Sequence, residues 1–183
     1  KFTWLGRLYS KHRMILARKN AGFDTVAALM KNEKESKIGA AGVGDGPYNT
    51  GLLAAWALGL KKVRMIPNFG GGEENYGIMR NEIEGVVGTA ESFGWLIEQG
   101  LATPILLYDL KRWKKWPNVP ALSELVKTDS GKAVATYLSS EGELVRAVFT
   151  TPNLPEDITR ILRKALMKAV QNETYQKIFV KTW

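Results

Sequence analysis

Residues 38–51 read IGAAGVGDGPYNTG, and five of these fourteen residues are glycines. The short apolar run Lys37–Ala40 leads into the glycines and predicts a β-strand, and Thr50–Leu58 after them predicts a buried helix that ends at Gly59. The order of strand, glycine loop and helix places backbone N–H groups at the positive end of a helix dipole. The stretch therefore predicts an anion-binding loop at the end of a sheet strand.

Two further segments repeat this order of strand, short loop and helix. PNFGGGEE at 67–74 follows the predicted strand Val63–Ile66 and leads into a predicted helix over Glu73–Asn81. GTAES at 88–92 follows the predicted strand Gly85–Gly88 and leads into a predicted helix over Phe93–Gln99. Repeated strand–helix units are typical of an α/β sheet with right-handed crossovers, in which successive strand ends lie along one rim. The predicted fold class is therefore α/β, with a ligand crevice at that rim.

The predicted ligand-binding residues are the backbone amides and side chains of these three loops. They are Ala41, Gly42, Val43, Gly44, Asp45, Tyr48, Phe69, Gly70, Thr89 and Ala90. Some of these residues also fit a structural role, since Asp45 suits a helix cap and the two aromatic rings suit a core.

Three interpretations of the first loop are open: a carboxylate pocket, a nucleotide-binding loop, and glycines that only permit a tight turn. GVGDG lacks the GK[ST] ending of a P-loop, and its glycines follow G-x-G-x-G instead of the Rossmann pattern G-x-G-x-x-G. An α/β enzyme or sensor module that binds a phosphorylated or anionic ligand remains the alternative function.

The composition limits the kinds of metal site and active site that the chain can form. The 183 residues contain no cysteine and a single histidine, His12, which excludes disulfides, thiolate metal sites and histidine-rich metal centres. The paired carboxylates Glu73 and Glu74 stand at a predicted helix start, where the helix dipole favours them. We therefore expect no enzyme activity, no metal and no cofactor. The net charge of +8 is spread along the chain, which favours small anions over nucleic acid as partners.

The rest of the sequence predicts one strand before and one strand after the strand–loop–helix units, and a carboxyl-terminal part in which this order changes. The strands are Met14–Ala17 and Thr103–Tyr108. After a loop rich in Pro, Trp and Lys, the pattern predicts a helix at Ser130–Leu138, a strand at Leu144–Phe149, and helices at Pro155–Val170 and Glu173–Val180. Trp56 is predicted to lie in the core, Trp113 and Trp116 to be packing residues, and His12 to lie at the surface or at a hinge.

Three segments resemble one protein family. GAAGVGDGPYNTGLLAAWALGLKKVRMIPNFGGGEENYGIMRNEIEGVVGT at 39–89 resembles the second lobe of the tripartite tricarboxylate transporter receptors, the Bug-type periplasmic solute-binding proteins. KRWKKWPNVPALSEL at 111–125 resembles their R…LPDVPTxxE segment. TTPNLPEDITRILRKALMKAVQNETYQKIF at 150–179 resembles their closing helices. The similarity runs from about residue 14 to the end of the chain, with the motifs in the family's order.

The resemblance implies a type II periplasmic-binding clamshell that holds a small organic acid between two lobes and passes it to membrane transporter subunits. It implies that residues 19–142 form the second lobe and that residues 1–18 and 143–183 form part of the first lobe. The family's amino-terminal portion has no counterpart here, so the sequence predicts one complete lobe, weak carboxylate binding and self-association. Asp45 stands where the family usually has Ser or Thr, which leaves a neutral or aromatic acid open as the ligand.

Overall fold

The computed structural model describes residues 1–144 and 146–182. Its elements, in chain order, are β1 (Thr3–Arg7), β2 (Arg13–Arg18), α1 (Val26–Lys31), β3 (Ser36–Gly39), α2 (Gly46–Ala57), β4 (Val63–Ile66), α3 (Glu73–Met79), β5 (Gly85–Thr89), α4 (Ala90–Glu98), β6 (Ala102–Leu107), α5 (Leu122–Leu125), α6 (Asp129–Leu144), β7 (Ala147–Thr150), α7 (Glu156–Gln171) and α8 (Glu173–Thr182). Over the described residues, every helix is too short or too polar to span a lipid bilayer.

The chain divides into two compact units, one formed by His12–Ser140 and the other by Lys1–Lys11 together with Glu141–Trp183. The sequence predicted the corresponding boundaries after residues 18 and 142. The first boundary differs because β2 lies inside the sheet of the larger unit, between β5 and β6. The assignment of the two units to the two lobes of a binding protein stays a prediction.

The larger unit contains a five-stranded sheet with the strand order β4-β3-β5-β2-β6. Strand β3 runs parallel to β4 and β5, whereas β2 runs antiparallel to both β5 and β6. The carboxyl ends of β3, β4, β5 and β6 therefore lie at one rim of the sheet, together with the amino end of β2. This topology brings the three predicted loops to the same edge.

Hydrophobic clusters cover both faces of this sheet. Ile15 belongs to one cluster and its neighbours Met14 and Leu16 belong to the other, as expected from the alternation of side chains along a strand. Helix α2 contributes Ala54 to the first cluster, and α4 contributes Phe93 to the second. Packing on opposite faces fixes the amino ends of both helices at the rim.

The smaller unit contains a two-stranded antiparallel sheet, β1 with β7, on which α7 packs. Arg163 of α7 donates from Nη2 to the carbonyl oxygen of Trp4 at 2.8 Å. Gly6 permits close packing here, because a Cβ at this position would lie 2.8 Å from Cδ2 of Leu166. The Trp4 and Phe149 rings meet edge to face, with their centroids 5.1 Å apart.

The described elements confirm the predicted succession of strands and helices, with shifted ends. Helix α2 begins at Gly46 instead of Thr50, because Asp45 caps it. Helix α4 begins at Ala90 instead of Phe93, because Thr89 caps it. Strand β1 and helix α5 were not predicted from the sequence.

The prediction that Trp56 belongs to the core is wrong. Its side chain is 61% exposed. Helix α2 is apolar on all sides, and its sheet-facing residues are small ones such as Gly51 and Ala54. Trp113 and Trp116 are partly buried against the second cluster, which confirms the predicted packing role.

Candidate functional site

The first loop closes on the carboxylate of Asp45. Oδ1 of Asp45 accepts from the N–H of Tyr48 at 2.6 Å, and Oδ2 accepts from the N–H of Gly42 at 2.8 Å. Asp45 is thereby the N-cap of α2, which confirms its expected capping role. A carboxylate from the chain itself thus occupies part of the predicted anion site, including the amide of Gly42.

Three other residues of this loop lie at the surface. Ala41, Val43 and Gly44 are exposed. Among the hydrogen bonds of the described residues, none takes the N–H group of any of these three. Gly44 has a φ of 83°, and its carbonyl accepts from Nδ2 of Asn49 at 2.8 Å. These three amides are candidate donors for a ligand, together with the N–H of Gly46 in the first turn of α2, for which no acceptor is described either.

The second loop lies directly against the first. The N–H of Asn68 donates to the carbonyl of Ala41 at 3.1 Å, and the N–H of Phe69 donates to that of Ala40 at 3.0 Å. A Cβ on Gly70 would lie 3.0 Å from Cβ of Ala41. The structure therefore brings Gly70 and Ala41 together, as a common site requires.

Phe69 and Tyr48, the two aromatic residues of the predicted site, bury part of their surface against the hydrophobic clusters. The Phe69 ring packs against the second hydrophobic cluster and approaches Gly77, where a Cβ would lie 2.5 Å from Cε1 of the ring. The Tyr48 ring packs against the first cluster. Both residues are half-buried, and their contribution to ligand binding stays a prediction.

The third strand end carries Thr89, whose hydroxyl caps α4. Oγ1 of Thr89 accepts from the N–H of Ser92 at 3.4 Å and lies 3.2 Å from Oγ of Ser92. Thr89 and Ala90 are both buried. These two residues therefore contribute a capped helix start to the rim.

Arg13 lies at the same rim, and the sequence prediction missed it. It is the first residue of β2 and pairs in register with Thr89 at the end of β5. Nη1 of Arg13 donates to Oγ1 of Thr50 at 3.2 Å, and a Cβ on Gly46 would lie 3.0 Å from the same nitrogen. Thr50 Oγ1 in turn donates to the carbonyl of Gly46 at 2.7 Å. A half-buried guanidinium is therefore held at the first turn of α2.

Tyr108 lies next to this cation, at the end of β6. Its N–H donates to the carbonyl of Arg13 at 2.8 Å, and its side chain is 1% exposed. Burial raises the pKa of Tyr108 far above its usual range, and the nearby Arg13 guanidinium opposes this shift only in part. The phenol is therefore neutral at physiological pH. Within the described residues, its hydroxyl has no hydrogen-bond partner.

His12 forms a second polar pair at this rim. Nδ1 of His12 lies 2.7 Å from Oδ2 of Asp109, and the imidazole stacks on Trp113 with 4.4 Å between ring centroids. The side chain of His12 is partly exposed, in keeping with the predicted surface position. No described hydrogen bond joins His12 to a hydroxyl group. Across the residues the structure covers, no cluster of three or more His, Asp or Glu could hold a metal ion.

No protein-family model matches the sequence, and no curated protein matches it. Solved structures do match. A TctC solute-binding protein from Polaromonas, without ligand, is 18% identical with a TM-score of 0.75, over 99% of this chain and 59% of that one. The fold is that of a periplasmic solute-binding protein.

Two further structures agree with this likeness. MatC from Rhodopseudomonas palustris, with bound malate, is 17% identical with a TM-score of 0.66, over 99% of this chain and 59% of that one. The periplasmic binding protein BugD is 17% identical with a TM-score of 0.63, over 96% of this chain and 56% of that one. The chain thus spans less than two thirds of the length of these proteins. The fold class predicted through the family resemblance is confirmed.

Proposed function

We propose that this chain is a non-enzymatic solute-binding protein that holds a small organic carboxylate at the rim formed by the ends of β3, β4 and β5. One observation carries the proposal: three parallel strands end at one rim, and their first two loops touch at Ala41 and Gly70. The likeness in fold to solute-binding proteins supports it. In open α/β sheets, ligands bind in a crevice outside the carboxyl ends of the strands.

The donors at the rim suit a carboxylate. The amides of Ala41, Val43 and Gly44 lie beside the amino end of α2, where the helix dipole favours negative charge. Arg13 adds a formal positive charge at the same turn. A hydrogen bond to a charged group contributes about 1.5–3 kcal/mol, so two such bonds give about 3–6 kcal/mol, which corresponds to weak binding with a Kd between the millimolar range and tens of micromolar. The net charge of +8 further favours an anionic solute.

The proposed setting is the periplasm, with delivery of the bound acid to the membrane subunits of a tripartite tricarboxylate-type transporter. The support is the likeness in fold to a TctC solute-binding protein and to BugD, joined to the resemblance of three sequence segments to that family. The solute class is proposed from the chemistry of the rim, and MatC, with its bound malate, provides a first compound to try.

Self-association is a further part of the proposal, and α7 supports it. Thr159 is buried, whereas Ile158, Ile161 and Leu162 on the adjoining stripe of the helix are exposed. Acidic residues begin α7 and Lys168 lies in its last turn, so two antiparallel copies would set opposite charges side by side. We propose that this apolar stripe pairs with a second copy of the chain.

Calorimetry with matched panels of solutes tests the proposed function. The carboxylate panel contains malate and benzoate, and the comparison panel contains ATP, AMP and glucose 6-phosphate. Saturable binding of a carboxylate, with weaker or no binding of the phosphorylated compounds, is the expected result. Preferential binding of a phosphorylated compound would replace the proposal by the alternative of an enzyme or sensor module.

A further inference from the structure

His12 lies beside the third of the three loops at the rim. Arg13 pairs in register with Thr89 at the end of β5. His12 stands one residue before Arg13 and therefore lies next to the amino end of α4. Strands β3 and β2 pair with β5 on opposite sides, which places them about 10 Å apart. A solute over the end of β5 thus has the first loop on one side and His12 on the other.

Asp109 and Trp113 hold the imidazole of His12 in one orientation. Nδ1 of His12 lies 2.7 Å from Oδ2 of Asp109, whose side chain is 15% exposed. The ring stacks on Trp113 with an angle of 26° between the planes, and Trp113 packs edge to face on Trp116 with 4.9 Å between centroids. A ring that is fixed at one edge and on one face loses little conformational entropy when it binds a ligand.

The contact with Asp109 decides which hydrogen-bonding group the ring of His12 presents at the rim. An ionised carboxylate only accepts hydrogen bonds, so Nδ1 of His12 carries a proton and donates to Asp109. In a neutral imidazole the other nitrogen, Nε2, then carries a lone pair and accepts. No hydrogen bond of the described residues uses Nε2, and the side chain of His12 is 35% exposed. The ring therefore presents a hydrogen-bond acceptor.

We propose that His12 determines solute specificity by accepting, at Nε2, a hydrogen bond from a hydroxyl group of the solute, and that Asp109 is its positioning residue. The first loop offers N–H donors, which suit a carboxylate, whereas an acceptor on the other side of β5 suits a group that donates. The solute class is then a carboxylic acid with a hydroxyl group on its carbon chain. The inference rests on the proposed function, because it assigns a second group to the solute of that same rim.

Binding of acids with and without a hydroxyl group to the full chain tests this inference. The probes are malate with succinate, and 3-hydroxybutyrate with butyrate, measured by calorimetry. His12→Phe keeps a ring that can stack on Trp113 but removes both nitrogens, and Asp109→Asn removes the carboxylate that orients the ring. Thr103→Val is the matched control, because it removes one hydrogen-bonding group from β6 at the opposite edge of the sheet. His12 is the only histidine of the 183 residues, so nitrogen NMR spectra of the untagged chain report its imidazole alone.

We expect the wild-type chain to prefer each hydroxylated acid over its partner by about 2- to 10-fold, the range of one neutral hydrogen bond. His12→Phe should lose this preference while its affinity for succinate stays unchanged, and Thr103→Val should behave as the wild type does. Asp109→Asn can donate to Nδ1 and move the ring proton to Nε2, so it should also lose the preference. This variant keeps the test decisive if His12→Phe does not fold. The Nε2 signal should shift with malate and stay in place with succinate.

Three results would overturn the inference in distinguishable ways. If the wild type binds malate and succinate equally, the chain binds carboxylates but does not select a hydroxyl group. If His12→Phe weakens the binding of both acids to the same extent, or if Asp109→Asn keeps the full preference, the contact between His12 and Asp109 serves the fold and not the solute. If the wild type binds none of the four acids, the proposed function fails and the inference fails with it.

Discussion

Removal of the Asp45 carboxylate should destabilise the fold and strengthen the binding of anions. In Asp45→Ala, the N–H groups of Tyr48 and Gly42 lose acceptors at 2.6 and 2.8 Å. Loss of an N-cap costs about 1 kcal/mol and up to about 2, and a second backbone hydrogen bond is worth about 1 kcal/mol. The sum is about 2–3 kcal/mol, which corresponds to a fall in Tm of about 4–12 °C for a chain of this size.

Asp45→Asn tests the helix cap and the negative charge separately, because Asn keeps a cap acceptor but carries no charge. One amide oxygen can still accept from Tyr48, while the N–H of Gly42 is released to a ligand. Loss of the negative charge should strengthen carboxylate binding by about 1 kcal/mol, or about fivefold. Thermal unfolding followed by circular dichroism measures the first effect, and calorimetry with malate measures the second. An unchanged Tm in Asp45→Ala would refute the cap, and weaker malate binding in Asp45→Asn would show that the carboxylate assists the ligand.

Three further predictions concern the loop, the smaller unit and acid stability. Gly42→Val places a branched side chain in the proposed site and should abolish malate binding in calorimetry. The Tm should stay unchanged, because no atom lies within 4 Å of the added Cβ and because Gly42, unlike Gly44, does not have a left-handed φ. Wild-type affinity for malate in this variant would contradict the site. Ile161→Glu should convert dimers to monomers in light scattering, and a wild-type chain that is monomeric at high concentration would disprove the α7 contact. A hydrogen bond from Arg112 lowers the pKa of Glu124, so this pair stabilises the fold above the unfolded-state pKa and the contribution is lost as pH falls through the folded-state pKa. Glu124→Gln should therefore be less stable than wild type at pH 7 in denaturant titrations, and the difference should shrink as the pH is lowered, whereas a difference that does not change with pH would contradict the pairing.

The glycine-rich loops made the rim predictable from sequence. Each of the three loops follows a short apolar run and begins a helix, so a parallel arrangement places them at one edge. The observed parallel pairing of β3 with β4 and with β5 agrees with this reasoning. The capping role of Asp45 was also accessible, because Asp is a preferred N-cap residue.

Arg13 was not accessible, because its position depends on pairing between distant parts of the chain. Only the insertion of antiparallel β2 between β5 and β6 places it opposite Thr89. The hydrophobic pattern within a short segment does not indicate that a strand from elsewhere in the chain is inserted between two others. The exposure of Trp56 was missed for a different reason: α2 is apolar on all sides, so its sequence has no periodicity that would identify the buried face. β1 was missed because its partner β7 lies at the other end of the chain.

Backbone amide chemical shifts during a malate titration test the central claim most directly. The account predicts that the largest shifts fall on Ala41, Val43 and Gly44, with smaller ones at Thr89. Amides near Arg18, at the opposite edge of the sheet, should not move. Saturable shifts confined to that opposite edge, or spread over the smaller unit with the first loop unchanged, would contradict a solute site at the ends of β3, β4 and β5.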